Sequence, residues 1–95
     1  PAKIWNGTMS GDWTDPANWT PAGVPTSTEN IIIPAGTPNS CSPGASGLTC
    51  RNLTVENGAT LSLSTLAVIT VHGRMIIQSG ATVNNEGNIV IAEIP

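Results

Sequence analysis

The chain has 95 residues, the size of one small domain, which excludes a two-domain enzyme with a cleft between lobes. Only 9% of the residues are charged, Gly (10) and Pro (8) are frequent, and Phe and Tyr are absent, a turn-rich composition that excludes helical bundles. The net charge is −3, and three cationic side chains are too few to neutralise a phosphate backbone or bind an anionic membrane surface. No apolar run approaches the roughly 20 residues that span a bilayer.

Residues 1–25 differ in composition from the rest and hold all three tryptophans, Trp5, Trp13 and Trp19. We expect this leader to be a separate element in which the indoles cover one end of the core, because large aromatic rings close an apolar surface with few residues. The alternative is that one or two of the indoles lie exposed as a platform for a sugar ring.

The leader also contains Asp12, Asp15 and Asn18. Their oxygens are of the kind that calcium prefers, but the spacing matches no established calcium loop. The same residues are typical of turns and helix caps, and we favour that role. The sequence therefore predicts no metal and no cofactor.

Cys41 and Cys50 are the only cysteines and lie in a stretch rich in Gly, Pro and Ser. No second pair and no nearby His completes a zinc site. We predict a disulfide, since a small chain outside the cytosol gains most from such a bond, with two free buried thiols as the alternative.

From residue 31 onwards the sequence repeats at an interval of 22 residues. The triplets 31–33, 53–55 and 75–77 align with one another, and turn glycines align at Gly36, Gly58 and Gly80. Glycine suits such corners because a positive φ costs it nothing. Each period holds three short apolar segments, which fits three strands and three turns.

This repeat predicts an all-β fold, a right- or left-handed β-solenoid (parallel β-helix) of about three 22-residue coils with an N-terminal Trp-rich cap. The leader is 1–25, and the coils span about 26–47, 48–69 and 70–95. An antiparallel sandwich is the alternative, but it does not predict turn glycines at a fixed interval.

The strand parity predicts which side chains face the core. In the aligned triplets the first and third residues point inward, and the middle residues, Ile32, Thr54 and Ile76, point outward. Two exposed isoleucines on one face suggest a lateral contact, unless the leader or the segment between the cysteines covers them.

Several motifs resemble the leader that opens many bacterial secreted and surface β-solenoid domains, including those of Bacteroidetes surface proteins and autotransporter-like adhesins. These motifs are Trp5-x-Gly7, Gly11-Asp12-Trp13, Asn18-Trp19, Val24-Pro25 and Ile31-Ile32-Ile33-Pro34. The resemblance implies an extracellular or bacterial cell-surface location and an adhesive or structural role.

The sequence gives no sign of catalysis. The repeat places no two of the later carboxylates in one column, and the sole histidine, His72, has no nucleophile near it and fits a solvated turn residue. We therefore predict that the chain is not an enzyme.

The last strand contains Ile89, Val90 and Ile91, with Ile94 shortly after it, and no polar cap follows. An open strand edge of this kind predicts head-to-tail stacking, in a filament or with neighbouring modules of a longer chain. The predicted function is a non-enzymatic structural or adhesive module that stacks end to end. The alternative is a carbohydrate-binding module or adhesin that uses exposed Trp, Thr or Asn faces on a polysaccharide.

Overall fold

The computed structural model describes residues 2–92. Its strands are β1 (Ala2–Trp5), β2 (Trp19–Thr20), β3 (Asn30–Ile33), β4 (Leu48–Cys50), β5 (Leu53–Val55), β6 (Thr60–Leu63), β7 (Val68–Val71), β8 (Met75–Ile77), β9 (Thr82–Asn85) and β10 (Asn88–Ile91). A 3-10 helix, Pro16–Asn18, precedes β2 and is capped at its N-terminus by Asp15, whose side chain accepts a hydrogen bond from the Ala17 amide. No helix in this part of the chain is long and apolar enough to cross a membrane.

The strands form three sheets. The first has five strands in the order β2-β1-β3-β5-β8, the second has three in the order β10-β7-β4, and the third pairs β6 with β9. All neighbouring strands are parallel except β1 and β2, which are antiparallel. The strands β8, β9 and β10 follow one another along the chain, and each is the last strand at one edge of its sheet.

Alternation of side chains builds one hydrophobic core between the sheets. Ile31 and Ile33 on β3 are buried, as are Leu53 and Val55 on β5, and this confirms their predicted inward direction. The middle residues of these triplets are less buried. The turn glycines Gly36, Gly58 and Gly80 have φ angles of 78°, 85° and 85°, as predicted for corners that only glycine adopts without strain.

The predicted β-solenoid of three 22-residue coils with a separate cap is wrong. The chain is instead a small all-β domain with mixed and parallel sheets. The interval is 22 residues only in part of it: Leu48 pairs with Ile69, and Asn88 pairs with Val68, at intervals of 21 and 20. Lys3 pairs with Ile31, which is 28 residues away. Strand pairing depends on backbone hydrogen bonds and on which side chains face the core. Both can be kept when the turns between strands differ in length, so paired strands need not be separated by a fixed number of residues.

The leader is also not separate from the remainder. Its strand β1 lies in the five-stranded sheet between β2 and β3, and its three tryptophans belong to the same hydrophobic cluster as the aliphatic residues. Lys3 and Trp5 on β1 are buried while Ala2 and Ile4 are exposed, so β1 has the alternation of an ordinary sheet strand. The predicted boundary at residue 25 therefore falls inside one continuous core.

The predicted disulfide is wrong as well, because Cys41 and Cys50 are both free and buried. Cys41 forms an isolated parallel bridge with Leu61, and Cys50 lies on β4 opposite Val71. Both side chains belong to the hydrophobic cluster, where a thiol packs as a small apolar group.

Candidate functional site

Two ends of the molecule differ in how their strand edges are protected. We call the end formed by the edge strands β8, β9 and β10 the open end. The opposite end, where residues 2–29 lie over the first strands of the core, is the covered end. The contrast between the two ends is the basis of the candidate site described here.

At the open end, side chains on the inward-facing side of the edge strands are exposed. Val55 on β5 is fully buried, but its neighbour Ile77 on the edge strand β8 is 51% exposed. Likewise Val71 on β7 is fully buried, and its neighbour Ile91 on β10 is 51% exposed. These isoleucines are exposed because no strand between residues 2 and 92 lies beyond them.

The predicted stacking residues fall partly on this end. Ile89 is half-buried, Val90 and Ile91 are exposed, and Ile94 lies outside the described residues. Ile77 was not predicted as an edge residue. The available signal was its position in 75–77, the third of the aligned triplets.

The covered end is protected by backbone contacts from the leader. The Ser42 amide donates to the Gly11 carbonyl at 2.8 Å, and the side-chain amide of Asn39 donates to the Gly7 carbonyl at 2.8 Å. The Trp5 indole donates to the Asn39 carbonyl at 3.0 Å. The leader therefore pairs with groups that an uncovered edge would present to another chain.

A buried lysine ends the aliphatic column on the covered side. Lys3 pairs with Ile31 in the sheet and points inward, with its Nζ donating to the Pro21 carbonyl at 3.0 Å and lying 3.6 Å from a carboxylate oxygen of Glu29. Its strand β1 lies next to the short edge strand β2, and a charge that points inward there opposes addition of a further apolar layer. This role of Lys3 was not predicted, because the residue lies in a short segment whose sequence gives no sign of the Pro21 and Glu29 partners.

The three tryptophans are packed against one another inside the covered end. The Trp19 ring lies edge-on to Trp5 and to Trp13, with centroids 5.1 and 5.0 Å apart. All three are buried, so no indole face is available to a sugar ring in this structure. The three rings therefore belong to the hydrophobic core at the covered end.

The outward row predicted as a lateral contact is brought together by the sheet. Ile32, Thr54 and Ile76 are direct neighbours on β3, β5 and β8. Ile32 and Thr54 are half-buried, and Ile76 is 49% exposed. The exposed member of the row thus lies on the open end.

The oxygen-bearing residues of the leader take part in turns. Asp12 accepts hydrogen bonds from the amide and hydroxyl of Thr14, and the Asn18 amide group bonds to the backbone around it. His72 lies near the Ala92 carbonyl, with 3.3 Å between Nδ1 and the oxygen. Between residues 2 and 92 no group of three or more His, Cys, Asp or Glu side chains is arranged to hold a metal ion.

Burial raises the pKa of the Cys50 thiol from 9.0 to about 12, and it raises the pKa of Cys41 as well. The unfolded chain therefore ionises first as pH increases. Below about pH 9 both thiols are protonated in the folded and the unfolded chain, and the free energy of unfolding does not depend on their ionisation. Between about pH 9 and the folded pKa, ionisation stabilises the unfolded chain, and the free energy of unfolding decreases by about 1 kcal/mol per pH unit for each thiol.

We expect urea unfolding midpoints to fall between about pH 8 and pH 10. The matched control is the double variant Cys41→Ala/Cys50→Ala, which starts less stable because of the cavities but retains a smaller pH slope. Equal slopes for the two proteins would contradict the effect of thiol burial.

The fold and the open end together define the class of the protein as a small all-β domain with unpaired parallel strand edges. The chain belongs to the DUF8693 family, a domain of unknown function whose model matches residues 4–93. No curated protein matches the chain, and no solved structure matches it. The resemblance to bacterial surface proteins stays a prediction.

Proposed function

We propose that this chain is a non-enzymatic structural or adhesive module that associates end to end through its open end, in an extracellular or bacterial cell-surface setting. The observation that carries the proposal is the half-exposure of Ile77 and Ile91 at positions whose neighbours in the sheet are fully buried. A partner that covers these residues removes apolar surface from water and pairs the free strand edges at the same time.

The carbohydrate-binding alternative has less support. With the tryptophans buried, it rests on the outer face of β6 and β9, where Thr82 and Asn84 are exposed. Asn84 donates a hydrogen bond to the Ser62 hydroxyl at 3.4 Å, so part of this polar row is already satisfied within the sheet.

The proposal is tested by measuring mass against concentration by analytical ultracentrifugation. We expect the wild-type chain to associate and the variant Ile77→Lys/Ile91→Lys to remain monomeric. Leu66→Lys is the matched control, since Leu66 is 74% exposed but lies in the turn between β6 and β7. Equal association of the wild type and the double variant would contradict a role for the open end.

A further inference from the structure

The two ends of the molecule are not complementary to each other. At the covered end β2 has only two residues, prolines flank it at Pro16 and Pro21, and the buried Lys3 terminates the aliphatic column. Short edge strands, prolines and inward charges are the features that keep a sheet edge from accepting another strand. The head-to-tail contact expected from the sequence would require this end to accept β8, β9 and β10.

We infer that the partner of the open end is a second copy of the chain, bound tail to tail about a two-fold axis. This inference rests on the proposed function and specifies its partner. A two-fold axis brings an open end against an open end, so the same surface is used by both copies and the covered ends stay in solvent. The strand edges that meet run in opposite directions, and antiparallel pairing is the more stable arrangement.

The size of the surface is sufficient for such a dimer. The two shortest extents of the molecule are 25 and 25 Å. An end face of that cross-section has an area of about 500 Å², so two faces bury about 1,000 Å² in total, which is the lower limit for a specific interface. The dimer is thus closed and small, not a growing filament.

The charge of the open end also permits contact between two identical surfaces. Arg74, Glu86 and Glu93 are the charged side chains from residue 74 onwards, so this part of the sequence has a net side-chain charge of only −1. A charge this small allows the apolar positions of β8 and β10 in two copies to meet with little repulsion. Most of the carboxylates of the chain lie before residue 74.

The geometry is tested by cross-linking single-cysteine positions at the two ends. Ser79→Cys places a thiol on the exposed turn after β8, and Met9→Cys places one on the exposed surface of the covered end. The native cysteines are buried, so a short bismaleimide reacts mainly with the introduced thiol. We expect Ser79→Cys to give covalent dimers and Met9→Cys to give none.

Sedimentation of the wild type should show a species of twice the monomer mass that does not grow further. Ile77→Lys/Ile91→Lys should weaken the dimer by about a hundredfold or more, because lysines would be buried against apolar surface. Circular dichroism of the variant checks that it is folded, and the cross-linking result is independent of it.

Other results separate this inference from the proposed function. A ladder of higher species, or cross-links between Met9→Cys and Ser79→Cys chains in a mixture, would overturn the tail-to-tail arrangement while association through the open end stands. A chain that stays monomeric at millimolar concentration, with no cross-linking at either position, would overturn the dimer and self-association together.

Discussion

Replacing Trp19 with alanine is expected to lower the free energy of unfolding by about 4 kcal/mol, the largest effect of any single truncation at the covered end. Trp19 is buried between Trp5 and Trp13 and packs edge-on against both rings. Its indole also donates to the Trp13 carbonyl at 2.8 Å. The variant removes both aromatic contacts and that hydrogen bond, and it leaves a cavity in the covered end.

Two phenylalanine variants separate packing from hydrogen bonding at this cluster. Trp19→Phe leaves the buried Trp13 carbonyl without its indole donor, whereas the Trp13 indole nitrogen is buried with no hydrogen-bond partner among the described residues. Trp13→Phe therefore loses no hydrogen bond. We expect Trp19→Phe to cost about 1 kcal/mol more than Trp13→Phe in urea unfolding followed by circular dichroism. Equal costs would show that packing alone determines the stability of the cluster.

Asn18→Ala is expected to cost about 3 kcal/mol, because this fully buried side chain organises the turns of the leader. Its Oδ1 accepts from the amides of Met9 and Ser10 at 2.9 and 3.0 Å. Its Nδ2 donates to the Asp12 carbonyl at 2.9 Å and to the Ser10 hydroxyl at 3.0 Å. Alanine removes all four bonds and leaves partly buried backbone groups without these partners.

Asn57→Ala is the matched control for this prediction. Asn57 is exposed in a turn between β5 and β6, and surface substitutions of this kind usually change stability by less than about 0.5 kcal/mol. Urea unfolding of the two variants gives the comparison directly. If Asn18→Ala were no less stable than Asn57→Ala, the buried amide would not be what holds residues 8–12 in place.

The sequence was informative where side chains repeat with the parity of a strand. The triplets around Ile31, Leu53 and Met75 indicated which residues face the core, and the aligned glycines indicated the corners. The fixed interval was misleading where it was extended to the whole chain. The pairs β3–β5, β5–β8 and β6–β9 join residues 22 positions apart, but β4–β7, β7–β10 and β1–β3 join residues 21, 20 and 28 positions apart. These departures follow local turn length, which the repeat does not specify.

Three features of the site depended on contacts between distant residues and were not predictable from local patterns. Lys3 is buried where its side chain contacts the Pro21 carbonyl and the Glu29 carboxylate, and Asn18 is of a residue type that is ordinary in turns. The cysteines have the spacing of a disulfide loop but occupy inward positions in the core. In each case the role of the residue is decided by neighbours that are distant in the sequence and close only in the folded chain.

The long separation between paired strands has a consequence for how fast the domain folds. Apart from β1 and β2, which pair Trp5 with Trp19, the strand pairs join residues 20 or more positions apart. Each pair must overcome the entropy of closing a loop before its hydrogen bonds contribute. Such topologies reach the native state in milliseconds to seconds rather than microseconds, so a newly made chain has exposed, unpaired segments for most of that time.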